Sequence, residues 1–182
     1  MNKFFSRGWL GAGFVVGLIF SCAATAYSYN DGFVQAGKKE GRYCMVYYSP
    51  KVDIDVIGEQ LNIGAADIIM AGGAPGSQNS RQADIAEMLD TLFERVSDIL
   101  DMHVYTMKFN VRISADDDQI AQIYKNIFQA DAGELKSFYN YELNTIYISA
   151  QSFTRGVIGH EIAHAVISHY FVVQPPVKAA EV

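Results

Sequence analysis

The sequence predicts an α+β fold, a small mixed sheet packed on helices. Three observations point there. Segments rich in β-branched and aromatic residues, such as "RYCMVYYS" over residues 42–49, alternate along the chain with segments of helical period. Half of the 182 residues are hydrophobic and 13% are aromatic, which suffices for one domain with a real core. The apolar stretch "GVIGHEIAHAVISHYF", residues 156–171, has the length of a packed helix and carries three of the chain's four histidines.

Residues 1–26 stand apart from this body. They open with Lys3 and Arg7 and no acid, continue in an apolar run, and end in Ala24-Thr25-Ala26, the small-x-small pattern of a signal-peptide cleavage site. Cleavage there removes two bases and no acid, shifting the net charge from −6 by two units to −8. Two other readings stand beside it: a lipoprotein acylated at Cys22, and an uncleaved membrane anchor over residues 9–26. In each, the basic N-terminus stays inside and the body lies outside the cytoplasm, periplasmic or secreted. The acidic balance excludes a basic nucleic-acid surface. With Cys22 lost alongside a signal, Cys44 has no partner within the chain and reads as a small buried hydrophobe.

Residues 27–80 read as an N-terminal strand and helix segment ending in a loop. The strand over 42–49 is closed by Pro50, residues 52–70 are partly helical, and 71–80 hold three glycines, a proline and two serines with nothing to pack. The main unit follows, over 81–182. Ile85, Met88, Leu89, Leu92, Phe93, Val96, Ile99 and Leu100 lie at helical spacing, with acids on the opposite face. Residues 103–113 read as a strand, and Ser114 as the N-cap of the next helix. Asp116, Asp117 and Asp118 fall in that helix's first turn, where the dipole favours them; their spacing fits no EF-hand calcium loop. Gly133 breaks the helix. The tyrosine-rich residues 137–149 form one strand, or a hairpin turning at 142–144. The histidine helix comes next. Pro175 and Pro176 stop it, and Pro176 opens a last helix.

His160 and His164 are four residues apart, about 40° around a helix, so both leave one face. Two imidazoles one turn apart can grip a single tetrahedral ion, with Zn–N bonds of about 2.0–2.1 Å. Glu161 sits about 100° from His160, badly placed to ligate but able to reach a water on the ion. This is the H-E-x-x-H arrangement, in which the glutamate is the general base. Its uncharged flanks, Val157, Ile162, Ala163, Ala165 and Val166, predict that the helix is buried around its ligands. Two residues compete as third ligand. His169 lies about 180° from His160 and points away while the helix continues. Glu181 sits past the Pro-Pro break, on a helix that can fold back to complete a His₂Glu set with one open position.

"HEIAH" followed by "QPPVKAAEV" resembles the gluzincin metallopeptidases, the thermolysin-like group with an H-E-x-x-H helix and a downstream glutamate. Pro176 with Glu181 five residues later matches small bacterial members, as do the sixteen residues between His164 and Glu181. The resemblance spans roughly residues 104–182. It implies a zincin-like fold, zinc held by His160, His164 and Glu181, and Glu161 as base. It also implies an edge strand before the active-site helix, along which an extended substrate pairs by strand addition. Asn144, Thr145, Ile146, Tyr147, Ile148 and Ser149 lie in the matching place. Two departures qualify the likeness. The sequence stops one residue after Glu181, where members usually continue the helix. No oxyanion-stabilising group is singled out by spacing, although Tyr139, Tyr141, Tyr147 and Tyr170 suit it by type. The expected function is extracytoplasmic zinc-dependent hydrolysis of peptide or protein substrates, with possible membrane attachment through residues 1–26. The alternatives are a secreted or anchored binding module braced by zinc, and a truncated inactive fragment.

Overall fold

The computed structural model describes residues 30–63, 84–104 and 106–171. The signal or anchor segment 1–26, the loop 71–80, the Pro-Pro break and Glu181 all lie outside them. The described residues form a mixed α/β unit: five strands in one mixed sheet, and four helices. The strands are β1 (Gly37–Glu40), β2 (Cys44–Tyr48), β3 (Phe109–Ser114), β4 (Ser137–Asn140) and β5 (Thr145–Ser149). The helices are α1 (Ile54–Gln60), α2 (Ile85–Leu100), α3 (Asp117–Phe128) and α4 (Arg155–Tyr170). No helix among the described residues is long and apolar enough to cross a membrane.

The sheet runs β1-β2-β3-β5-β4. Its centre, β2-β3-β5, is parallel, and the outer strands β1 and β4 are antiparallel to their neighbours. Register sorts the side chains by face, because alternate residues of a strand point to opposite sides. Val46, Val111 and Ile146 are aligned across the three central strands and wholly buried. They face Leu89 and Phe93 of α2, Ile158, Ile162 and Ala165 of α4, and Ile57 of α1. The next row, Tyr47, Arg112, Tyr147 and Phe138, lies on the other face. There α3 supplies Ile120 and Ile123 against Phe138 and Tyr147. The result is three layers, with helices on both faces of the sheet.

Several sequence expectations meet local physics here. The strand expected over 103–113 starts only at Phe109, because β2 offers partners no earlier than the Cys44–Phe109 pair. His103 instead turns back to Asp98, with Nε2 and Oδ1 2.9 Å apart. The stretch 137–149 is a hairpin: the Asn140 side chain accepts from Leu143 N at 2.9 Å, and Asn144 takes a left-handed φ of 45°. Cys44 is buried, its thiol pushed well above its ordinary pKa by loss of solvation.

Ser114 is not the N-cap; it ends β3, wholly buried. The cap is Asp116, which accepts from Gln119 N at 2.9 Å, while the Gln119 amide returns a bond to the same carboxylate at 2.9 Å. Asp117 and Asp118 occupy the first turn, and Asp117 also accepts from Ser149 and Ser152. Ser114 is still paired with Ser149 in the sheet, its carbonyl accepting from Ala150 N at 2.8 Å, so the helix starts only beyond it and Asp116 takes the role. Asp116→Ala should therefore destabilise by about 1 kcal/mol. Ser114→Ala should be near neutral, since the Ser114 hydroxyl has no hydrogen-bond partner among the described residues. Urea unfolding of the two variants checks the contrast.

Candidate metal and carboxylate site

Helix α4 starts at the Thr154 N-cap, whose hydroxyl accepts from Val157 N at 3.2 Å, and runs unbroken to Tyr170. Its buried stripe is Ile158, Glu161, Ile162, Ala165 and Val166, the spacing of one helix face turned to the sheet and α2. Glu161 is on that stripe and only 6% exposed. His160 and His164 fall off it: His160 is exposed and His164 half-buried. The expectation of a helix buried around its ligands is thus corrected. Ile158, Ile162, Ala165 and Val166 bury the carboxylate's side of the helix and leave the imidazoles toward the surface.

The two imidazoles meet. Their Nε2 atoms are 2.9 Å apart, with rings 4.5 Å between centroids and 87° between planes. Without an ion, this contact needs one ring to donate its Nε2–H to the other's bare Nε2. With an ion, both present lone pairs to it. Tetrahedral zinc with Zn–N bonds of about 2.0–2.1 Å separates two such nitrogens by about 3.3 Å. A small opening of the pair admits it, and two neutral imidazoles suit zinc by type. The pair therefore matches two of the ligand positions that such an ion needs. Among the described residues no group of three or more His, Cys, Asp or Glu side chains converges to complete a site. Glu181, the third ligand that the resemblance implies, lies outside the described residues.

His169 does not join the pair. Its Nδ1 donates to Ala165 O at 2.9 Å and lies 3.4 Å from the Tyr139 hydroxyl, and its ring lies beside Tyr141. Tyr139 in turn donates to Asn144 Oδ1 at 3.1 Å, and burial raises its pKa. Of the four candidate tyrosines, Tyr147 is excluded as an oxyanion donor. It is wholly buried on the α3 face, across the sheet from α4, and donates to Asp31 Oδ2 at 2.6 Å. Tyr141 and Tyr170 are exposed.

The expected substrate strand is also corrected. Asn144 is the turn residue, and Thr145, Ile146, Tyr147, Ile148 and Ser149 form β5, an interior strand bonded to β3 on one side and β4 on the other. All five are buried, and no further strand can pair with them. Among the described residues the outer strand on this side is β4. Its first residue, Ser137, donates its hydroxyl to Glu161 Oε1 at 2.7 Å. The sequence reading missed Ser137, since 24 residues separate it from Glu161 and no local pattern links them.

Comparison with protein families, with curated proteins and with solved structures gives no match to this chain, so the chemistry of this site rests on the paired imidazoles, the buried carboxylate and the strand beside them.

Proposed function

We propose that the chain is an extracytoplasmic zinc-dependent peptidase of zincin-like fold, with Glu161 as general base. The observation that carries this reading is the meeting of His160 and His164 through their Nε2 atoms, on the same helix turn as a buried, hydrogen-bonded glutamate. His160 and His164 would hold the ion, and Glu181 would complete the set as the resemblance implies. When bound, the ion supplies Lewis acidity to a water and to the scissile carbonyl. Glu161 accepts the proton of the attacking water and returns it to the leaving amine.

The substrate peptide pairs with the outer edge of β4 rather than with β5. Strand addition there gives main-chain hydrogen bonds with little side-chain preference. It also brings the peptide past Ser137, the residue bonded to Glu161.

The test is metal content joined to activity. Protein purified without chelators should carry about one equivalent of zinc, or take it up when supplied. Chelation should abolish cleavage of unstructured peptides while circular dichroism stays largely unchanged. Loss of the fold on chelation would instead make the ion a structural brace. Protein that neither carries nor takes up a transition metal would end the proposal.

A further inference from the structure

We infer that Ser137 is a positioning residue: its hydroxyl fixes the rotation of the Glu161 carboxylate for proton transfer. The inference rests on the peptidase reading and adds to it a residue outside the H-E-x-x-H motif.

The geometry is direct. Ser137 Oγ donates to Glu161 Oε1 at 2.7 Å, within the range of a strong hydrogen bond from a hydroxyl to a carboxylate. Glutamate has three side-chain torsions, and its terminal one is broad and without a sharp minimum. A buried carboxylate is oriented by its protein neighbours, and Glu161 is 6% exposed. Ser137 is itself fixed from two sides. Its backbone is held in the sheet opposite Ile148, and Ser149 N bonds to Lys136 O at 3.1 Å. The next residue, Phe138, anchors the strand on the opposite face by stacking on Tyr147 at 4.8 Å. The hydroxyl therefore presents a fixed donor to the carboxylate, and the sheet transmits its position to the base. General-base transfer demands alignment within hydrogen-bond reach, and a displacement near 1 Å can lower the rate by about a hundredfold.

Ser137→Val and Ser137→Thr test this as a shape-matched pair, since both are β-branched and differ in the hydroxyl alone. The assay uses the zinc-loaded full chain with an internally quenched peptide library, beside Glu161→Gln as reference. S137V should lose about 10- to 100-fold in kcat. Its KM should stay within about twofold, and S137T should keep kcat within about threefold of the parent. Zinc affinity by chelator competition should be alike in both variants, while the metal-free S137V chain should melt below S137T, because the buried carboxylate loses this donor. Should S137V fail to fold, Ser137→Ala removes the same hydroxyl in a smaller residue. Full activity in S137V overturns the inference, as does equal loss in S137T and S137V. Weaker zinc binding confined to S137V also overturns it, by placing the effect at the ion rather than at the base. A parent chain as inactive as E161Q marks failure of the peptidase reading itself, and the positioning role falls with it. An active parent with a dead E161Q and an unaffected S137V sinks the positioning role alone.

Discussion

Glu161→Gln lowers kcat by about 10² to 10⁴, the usual contribution of a general base, and leaves zinc content and melting temperature close to those of the parent. The substitution suits this site. Glutamine has the length of glutamate, and its side-chain oxygen still accepts the Ser137 hydroxyl that now bonds Glu161 Oε1 at 2.7 Å. The buried pocket therefore keeps its packing and its hydrogen bond. What disappears is the ability to take a proton. His160 and His164 are untouched, and Glu161 lies about 100° around the helix from the first of them, so the ion's ligands keep their geometry. The measurement is steady-state cleavage of an unstructured peptide, with zinc quantified on the same samples. Activity in E161Q equal to that of the parent would remove Glu161 from the chemistry.

Much of this arrangement was legible in the sequence because it is written locally. Helical period is a property of neighbours, so α2 and α4 could be read from the spacing of Ile85 through Leu100 and from 156–171. A four-residue offset puts His160 and His164 on one helix face, and their Nε2 atoms lie 2.9 Å apart there.

What was misread depends on contacts between distant segments. The alternation in 144–149 marks a strand but carries no information on its neighbours, and β5 proves to be interior because β4 turns back outside it. The strand β1, Gly37–Glu40, has no apolar signal at all: its sequence is GKKE, and beyond its backbone pairing with β2 it is tied by ion pairs of Lys39 with Asp84 and Glu40 with Lys108, residues far away in the chain. Uncharged residues around the histidines suggested burial, yet a helix buries one stripe, and the stripe defined by Ile158, Ile162 and Ala165 includes Glu161 and leaves His160 outside. Ser137 and Asp31 were invisible as functional or structural residues. Their partners lie 24, 81 and 116 residues away.

Asp31→Ala is the substitution expected to damage the fold most. Asp31 is 4% exposed, and its carboxylate pairs with Arg112 of β3 and accepts from the Tyr147 hydroxyl at 2.6 Å. Its carbonyl accepts from Asn126 Nδ2 of α3 at 3.2 Å. One residue thus ties the segment before β1 to two central strands and a helix. The guanidinium it neutralises lies over the rings of Phe33, Tyr47 and Tyr147, at 5.4, 5.9 and 5.7 Å from their centroids. Those rings attract the cation but cannot accept its hydrogen bonds as a carboxylate does. Alanine leaves Arg112 without this counter-ion and the Tyr147 hydroxyl without this acceptor.

Breaking a fully buried pair typically destabilises by about 3–5 kcal/mol. Arg112 retains 31% side-chain exposure, so water recovers part of its charge and the expected loss is nearer 2–4 kcal/mol. For a chain of this size that lowers the melting temperature by about 5–12 °C. Asp31→Asn should fall between, since the amide oxygen still accepts from Tyr147 while the charge is gone. Adding Arg112→Met to Asp31→Ala should recover stability relative to Asp31→Ala alone, because an apolar side chain among three aromatic rings has no charge to leave unpaired. Thermal and urea unfolding of the three variants measure the effect. An Asp31→Ala chain within about 0.5 kcal/mol of the parent, the range of ordinary surface substitutions, would mean that the pair contributes specificity of docking and no net stability.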